Sequence, residues 1–245
     1  MRGWIARTLT LVALVTLVAP GLAGCGQGTA AAASAPPKTL AQAGGLRIVV
    51  SVSANQDIAM LSALVARAQK GLGVKDASAR TSGSTFSATQ IEVDLPGYTD
   101  QQVAASALTT QGAMRVIDTG DNGLSVGATV GAQQYPTLFT GSQIDPASVG
   151  AQADQSGQPI VTFAFKGAAA SQFAQYTGSH IGSYLTITLD NRVIESATIQ
   201  SQIAGLGQIT GMTLIRAQTL AACLKSAPLP GPASLVSETV VSSGS

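Results

Sequence analysis

Leu46-Arg47-Ile48-Val49-Val50-Ser51-Val52-Ser53 sets Leu46, Ile48, Val50 and Val52 against Arg47, Val49, Ser51 and Ser53, the two-residue period of a strand. Downstream, Asn55 or Asp57 can cap a helix in which Leu61, Leu64, Val65, Ala68 and Leu72 recur at helical spacing, closed by Gly71 and Gly73. A strand is expected near residues 74–80, a Ser/Gly/Thr turn at 81–87, and a strand at 89–95 with Ile91, Val93 and Leu95 on one face. Leu95-Pro96-Gly97 stops it. Thr99 or Asp100 can cap a second helix through Val103, Ala107 and Leu108, and Met114 and Val116 mark a fourth strand. The order β-α-β-β-α-β predicts a ferredoxin-like unit, an antiparallel sheet with two helices, within an α+β fold.

A Gly-rich stretch, residues 120–135, reads as a connection with no packed element of its own. A second α/β unit follows. Its first strand covers residues 160–165, and a helix from Gly167 to Gly178 aligns Ala169, Phe173 and Tyr176. A hairpin at 184–199 turns at Asp190-Asn191. Residues 213–225 then place Leu214, Ala217, Leu220, Ala221 and Leu224 on one helical stripe, and a last strand lies near 235–241. That stripe has no partner of its own in the second unit and is expected to pack back onto the first, because leaving it in water costs several kcal/mol at about 25 cal/mol per Å².

On the N-terminal side, Arg2 and Arg7 precede an apolar run, residues 9–19, then Pro20-Gly21 and Leu22-Ala23-Gly24-Cys25. This is the layout of a lipoprotein signal peptide, residues 1–24, with Cys25 as the acylated first residue of the mature chain. The run has about half of the ~20 apolar residues a membrane span needs. Residues 25–45, rich in Ala, Ser, Gly and Pro, read as a flexible tether on the extracytoplasmic face of the membrane. With Arg2 and Arg7 removed, 11 basic residues face 12 acidic ones, a balance that argues against a nucleic-acid partner.

Catalytic motifs are weak. Gly123-Leu124-Ser125-Val126-Gly127 matches a nucleophile elbow, and Asp145 or Asp154 followed by His180 supplies the chain order of a hydrolase triad. However, no helix pattern follows Ser125. His180 is the sole histidine, no cysteine pair has ligand spacing, and Gly205-Leu206-Gly207-Gln208-Ile209-Thr210-Gly211 reads as a turn more than a nucleotide loop. Neither an enzyme activity nor a metal or cofactor is expected. Asp57, Asp94, Asp118, Asp190 and Glu195 read as caps, turn residues or solvated strand positions, and Cys223 as a buried, inert thiol.

Several segments in combination resemble SecD, of the SecD/SecDF protein-export family: Phe139-Thr140-Gly141, residues 157–165, 173–178, 185–190 and 193–197, Ile199, Ile203, and residues 207–211. Flanking stretches agree, with a Leu-Gly-Val turn at Leu72, a Leu-Pro-Gly stop at Leu95, and a return helix that exits at Leu229-Pro230. The resemblance is to the first extracytoplasmic domain. It implies a base subdomain at residues 46–134, an inserted head at 135–212, and a return helix and strand of the base at 213–245. Thr198 stands where that family usually has proline, and a lipoprotein signal stands where it has a first membrane helix.

The resemblance further implies a non-enzymatic module that binds translocating or unfolded polypeptide, or Sec translocon components, with Phe163, Phe165, Phe173, Tyr176 and Tyr184 as a candidate polypeptide-contact region. A head that swings relative to the base is also expected, with Gly120, Gly123, Gly127, Gly131 and Gly211 near the hinge. The competing expectation is a cell-envelope scaffold lipoprotein without a transport role. Anchoring has a direct test. Cys25→Ser should accumulate as unprocessed or released protein on fractionation, and a mature-sized variant in the membrane fraction would contradict it.

Overall fold

In the computed structural model, which describes residues 36–85 and 88–244, the inward set of the opening strand is the floor of the first core. Leu46, Ile48, Val50 and Val52 of β1 (Gly45–Ser53) are all buried. Helix α1 (Leu40–Ala43) precedes it, closed by a capping box between Thr39 and Gln42, with Leu40 buried. The tether expected up to residue 45 therefore gives way to ordered structure at Thr39. Gly45 needs its glycine: at φ 129 a Cβ would lie 2.3 Å from the Leu95 carbonyl oxygen. Cys25 and the signal segment lie outside the described residues.

Helix α2 (Asp57–Ala66) carries Asp57 in its first turn, where the helix dipole favours an acid, and continues as a π-helical turn, Arg67–Gly71. Strands β2 (Ser78–Ser84) and β3 (Ala88–Pro96) form a hairpin, and α3 (Gln101–Thr109) starts at Asp100, whose carboxylate accepts the Val103 amide at 3.0 Å. Next come β4 (Met114–Gly120), β5 (Thr137–Thr140), β6 (Gly150–Ala153), β7 (Pro159–Ala164) and α4 (Ala168–Ser179). The chain ends with β8 (Tyr184–Leu189), β9 (Arg192–Thr198), β10 (Leu206–Ile209), α5 (Leu214–Leu224) and β11 (Ala233–Val241). Residues Pro37–Ser245 form one compact unit with three antiparallel sheets, ordered β11-β1-β3-β2, β5-β4-β8-β9 and β10-β7-β6.

The fourth strand of the first sheet is β11, not the strand at Met114. β11 pairs along β1 from Gly45 to Val52, whereas β4 pairs with β5 and β8. Burial explains the difference. β4 is apolar on both sides, with Val116 in the larger core and Ile117 in a small one with Val130 and Val193, so it needs a sheet covered on both faces. The first sheet instead carries Arg47, Arg80, Glu92 and Asp94 on the face away from its core.

Two segments read as irregular are packed. Leu124, Ala128 and Tyr135 of the Gly-rich connection cover Ile117 and Val193, and the Gly127 and Val130 amides donate to the Val193 and Asn191 carbonyls at 2.8 Å. The stretch read as a turn at residues 205–211 holds β10, whose Ile209 is buried. Gly207 there faces Phe163, and a Cβ would lie 2.2 Å from its ring, which is why a glycine hides a strand.

The stripe of α5 also faces the other way. Ala217, Leu220, Ala221 and Leu224 enter the core shared by the two later sheets, and Leu214 is 54% exposed. The opposite side packs on α3 and on the π-turn, where a Cβ on Gly71 would lie 2.5 Å from the Ala222 carbonyl oxygen. One helix thus serves as a wall to both parts.

Asp94, read from sequence as an isolated acid, is the centre of the charged face. Arg47 grips it with two bonds at 2.7 and 3.0 Å, and Arg80 reaches it at 3.1 Å while also pairing with Glu92. Burial opposes ionisation of the Asp94 carboxyl, but the hydrogen bonds and charges of Arg47 and Arg80 outweigh it and hold its pKa below the usual range. A depressed folded-state pKa adds stability above the unfolded value, about 3.9, that is lost as pH falls through the folded one. Asp94→Asn should lower stability by about 1–2 kcal/mol at pH 7 in urea titrations. The gap should close in acid below about pH 4, and a gap unchanged at pH 2 would contradict the pairing.

Candidate functional site

Taking the part built on the first sheet as the base and the part built on the other two, which includes β4 and so begins earlier than residue 135, as the head, the chain crosses between them at residues 110–113 and returns through α5 and residues 225–229. Both crossings meet at Arg67. Its side chain is 0% exposed, carried inward by the π-turn at the end of α2. The guanidinium donates to the carbonyls of Ala107 (2.9 Å), Thr110, Gln111 and Ala227 (3.1 Å each), to Ser226 Oγ, and to Cys223 Sγ at 3.1 Å. These acceptors lie on the entry and exit segments together. Burial lowers the Arg67 pKa and pushes the Cys223 thiol up to about 11, so this cysteine is a buried, protonated neighbour of the cation.

Asp190 completes the seam from the head side. Asp190 and Asn191, at φ 49 and 64, make the tight turn between β8 and β9, and the Asp190 carboxylate accepts the amides of Gly112 and Ala113 at 3.1 and 2.7 Å. Gly112 is the glycine of the crossing: a Cβ on it would lie 3.0 Å from Arg67 Nη2. The glycines expected at the hinge lie elsewhere. Gly120 ends β4, Gly123, Gly127 and Gly131 belong to the connection packed on β8 and β9, and Gly211 precedes α5.

The candidate polypeptide-contact residues separate by burial. Phe163, Phe165 and Phe173 are buried core side chains, packed with Phe139 in tilted and edge-on ring contacts at centroid separations of 4.9 to 5.6 Å, and are not exposed surface residues. Aromatic area of this size is driven inward wherever two sheets and a helix can cover it. Tyr184 is half-buried over Gly123. Tyr176 stacks on His180 at 4.1 Å, and its buried hydroxyl has no hydrogen-bond partner among the described residues. Burial, together with the nearby Asp118, raises the pKa of that phenol.

The residues of the paper triad are not brought together. His180 is the C-cap of α4, with Nδ1 at 2.9 Å from the Tyr176 carbonyl oxygen and 3.0 Å from Ser179 Oγ. Asp145 accepts the Ala147 amide, Asp154 accepts the Ser156 and Gln158 amides, and Ser125 lies in an exposed turn. Among the described residues no group of three or more His, Cys, Asp or Glu side chains could hold a metal ion.

What the head offers a ligand is a cleft of about 310 Å³ between β9 and β10. Phe163, Phe173 and Ile187 form its floor and Ile203 its side, while Leu206, 67% exposed, stands at the rim. Both ends are strapped. The Ile203 amide donates to Thr177 Oγ1 at 2.9 Å, and Glu195 accepts the Thr210 amide at 3.0 Å. Thr198, at the site of the family's proline, pairs with Tyr184 in the β8–β9 ladder.

Arg67 escaped the sequence reading because an arginine on an otherwise apolar helix stripe looks solvated until its acceptors are known. Arg67→Met should lower stability by on the order of 3 kcal/mol in urea unfolding, since several carbonyls lose their donor in a dry site. Arg67→Lys should recover little of it, because an ammonium cannot serve acceptors spread around a planar fork. Full recovery by lysine would refute this account of the seam.

Residues 125–231 match the family model described as SecDF, P1 head subdomain. The SecD protein translocase subunit of Aquifex aeolicus is 32% identical over 171 residues, 62% of this chain and 34% of the relative. That of Sebaldella termitidis is 35% identical over 170 residues, 68% of this chain and 38% of the relative. The chain thus spans little more than a third of the length of these relatives. In fold, it is similar to SecDF in the super-membrane-facing form, with a TM-score of 0.62 at 22% identity over 84% of this chain and 32% of the other. It is also similar to a structure of SecDF, a membrane component that enhances protein export, with a TM-score of 0.57 at 23% identity over 78% of this chain and 98% of the other. Among the described residues no helix is long and apolar enough to cross a membrane. The chain is thus similar to the SecD protein translocase subunits, and its residues 125–231 to the SecDF P1 head subdomain.

Proposed function

We propose that this chain is a lipid-anchored, non-enzymatic extracytoplasmic module that binds translocating or unfolded polypeptide in protein export, using the β9–β10 cleft of the head. Similarity to SecD supports the export role. The observation that carries the reading is the match of residues 125–231 to the SecDF P1 head, in a chain whose head cleft has an aromatic floor and an exposed leucine at its rim. Such a cleft suits an apolar side chain of an extended segment, because a folded protein keeps those side chains covered. The module presents Leu206 and Ile203 to the polypeptide, with the phenylalanines as a rigid floor. The acyl anchor at Cys25 keeps the head close to the membrane surface where such segments emerge.

The reading is tested by placing a photo-crosslinking residue at Leu206 in living cells, with Ile58, 78% exposed on the base, as the control position. Leu206 should capture secretory chains in transit or Sec components, and Ile58 should not. Capture of mature envelope proteins alone, or equal capture from both positions, would replace this reading with that of a scaffold lipoprotein.

A further inference from the structure

A second cavity, of about 600 Å³, opens at the seam between base and head. The chain has five lysines, Lys38, Lys70, Lys75, Lys166 and Lys225, and three of them line this one cavity. They come from three elements far apart in sequence: Lys70 from the π-turn, Lys225 from the C-cap of α5, and Lys166 from the loop between β7 and α4. No Asp or Glu side chain is among the lining residues. Among the described residues, none of the three ammonium groups has a hydrogen-bond or ion-pair partner within the chain. Of the acids beside the lining, Asp145 is hydrogen-bonded to the Ala147 amide and Asp190 to those of Gly112 and Ala113.

Two of these lysines sit in a favourable local setting. Lys70 and Lys225 sit at helix C-terminal ends, where the dipole favours positive charge. Lys166 has the opposite setting. It precedes the N-terminus of α4, whose N-cap, Gly167, makes no side-chain cap bond and whose first turn carries no acid. A cation there gains nothing from its own helix and shares the cavity lining with two others and no acid, an arrangement that an anion between them would complete.

The chemistry of the lining narrows the anion. Lysines act as point charges and do not require the planar, two-toothed geometry that an arginine fork gives a carboxylate, so they suit the tetrahedral oxygens of a phosphate. No aromatic side chain lines the cavity to stack on a nucleobase, while Ile144, Pro146 and Leu224 offer aliphatic wall. From this convergence we infer that the seam cavity is a binding site for a phosphate ester carrying an aliphatic or glycerol-like group. Because Lys70 and Lys225 belong to the base side and Lys166 to the head, a bound phosphate ties the two together. The site is independent of the polypeptide cleft, which lies between β9 and β10.

The test is calorimetric titration of the full chain with sn-glycerol 3-phosphate and with inorganic phosphate. Saturable binding is expected, weakened by added salt and reduced roughly threefold or more by either Lys166→Gln or Lys225→Gln, in line with modest single contacts between partly exposed charges. The Lys70→Gln, Lys166→Gln, Lys225→Gln triple variant should lose binding, while Lys75→Gln, outside the cavity, should retain it. A urea midpoint for each variant separates loss of binding from loss of fold. Phosphatidylcholine vesicles with and without phosphatidic acid distinguish the source. Extra sedimentation with phosphatidic acid, competed by glycerol phosphate and absent in the triple variant, identifies a lipid headgroup; unchanged sedimentation with calorimetric binding retained identifies a soluble phosphate. Absence of saturable binding to both soluble probes, or binding undiminished in the folded triple variant, would overturn the assignment.

Discussion

A single guanidinium, that of Arg67, holds the entry and exit of the head in one shell of acceptors. Removing such a charge from water costs several kcal/mol, and the cost is offset only when its donors are matched. Four carbonyls, a hydroxyl and a sulfur do so here. The positions of residues 107–111 and 223–227 are therefore coupled: neither segment can shift without leaving the cation, or its own carbonyls, unsatisfied. The π-turn at Arg67–Gly71 widens the helix so that this side chain turns inward from α2.

Helix α5 extends the same constraint. One side of it is buried in the head core and the other against α3 and the π-turn, so base and head share a wall as well as a latch. Gly71 and Gly112 serve closeness there: one lets the backbone of α5 approach, the other leaves space for Arg67 and Cys223. A change of head angle must break hydrogen bonds at this seam, because the Gly-rich stretch after β4 is fastened to β9 and does not act as the joint. The mechanical problem of the molecule is concentrated at residues 110–113 and 225–229.

The head is organised by a different force. Two small sheets, neither able to bury its apolar side alone, close with α4 over the four packed phenylalanines. The cleft between β9 and β10 is where that closure is incomplete, and hydrogen bonds at Ile203 and Thr210 tie its two ends to α4 and β9. Burial of the phenylalanines and openness at Leu206 are thus two sides of one arrangement, a stiff floor under an accessible rim.

Periodicity and turn residues in the sequence by themselves determined the strands at Leu46, Ile91 and Ile160, the helices near residues 101–109 and 214–224 and the turn at Asp190-Asn191, while the likeness to SecD came from matching segments. Each of these rests on local spacing or on side chains that dictate their own backbone. What only the tertiary structure decided is partnership. Val116 and Ile117 of β4 called for cover on both faces, but nothing local told which sheet would supply it, and the far strand β11 took the place beside β1. The same holds for Asp94, for Gly207 under Phe163, and for Arg67. In each case the deciding contact is with residues distant in sequence, and a charge or a glycine reads as solvent or turn until packing brings its partner within reach.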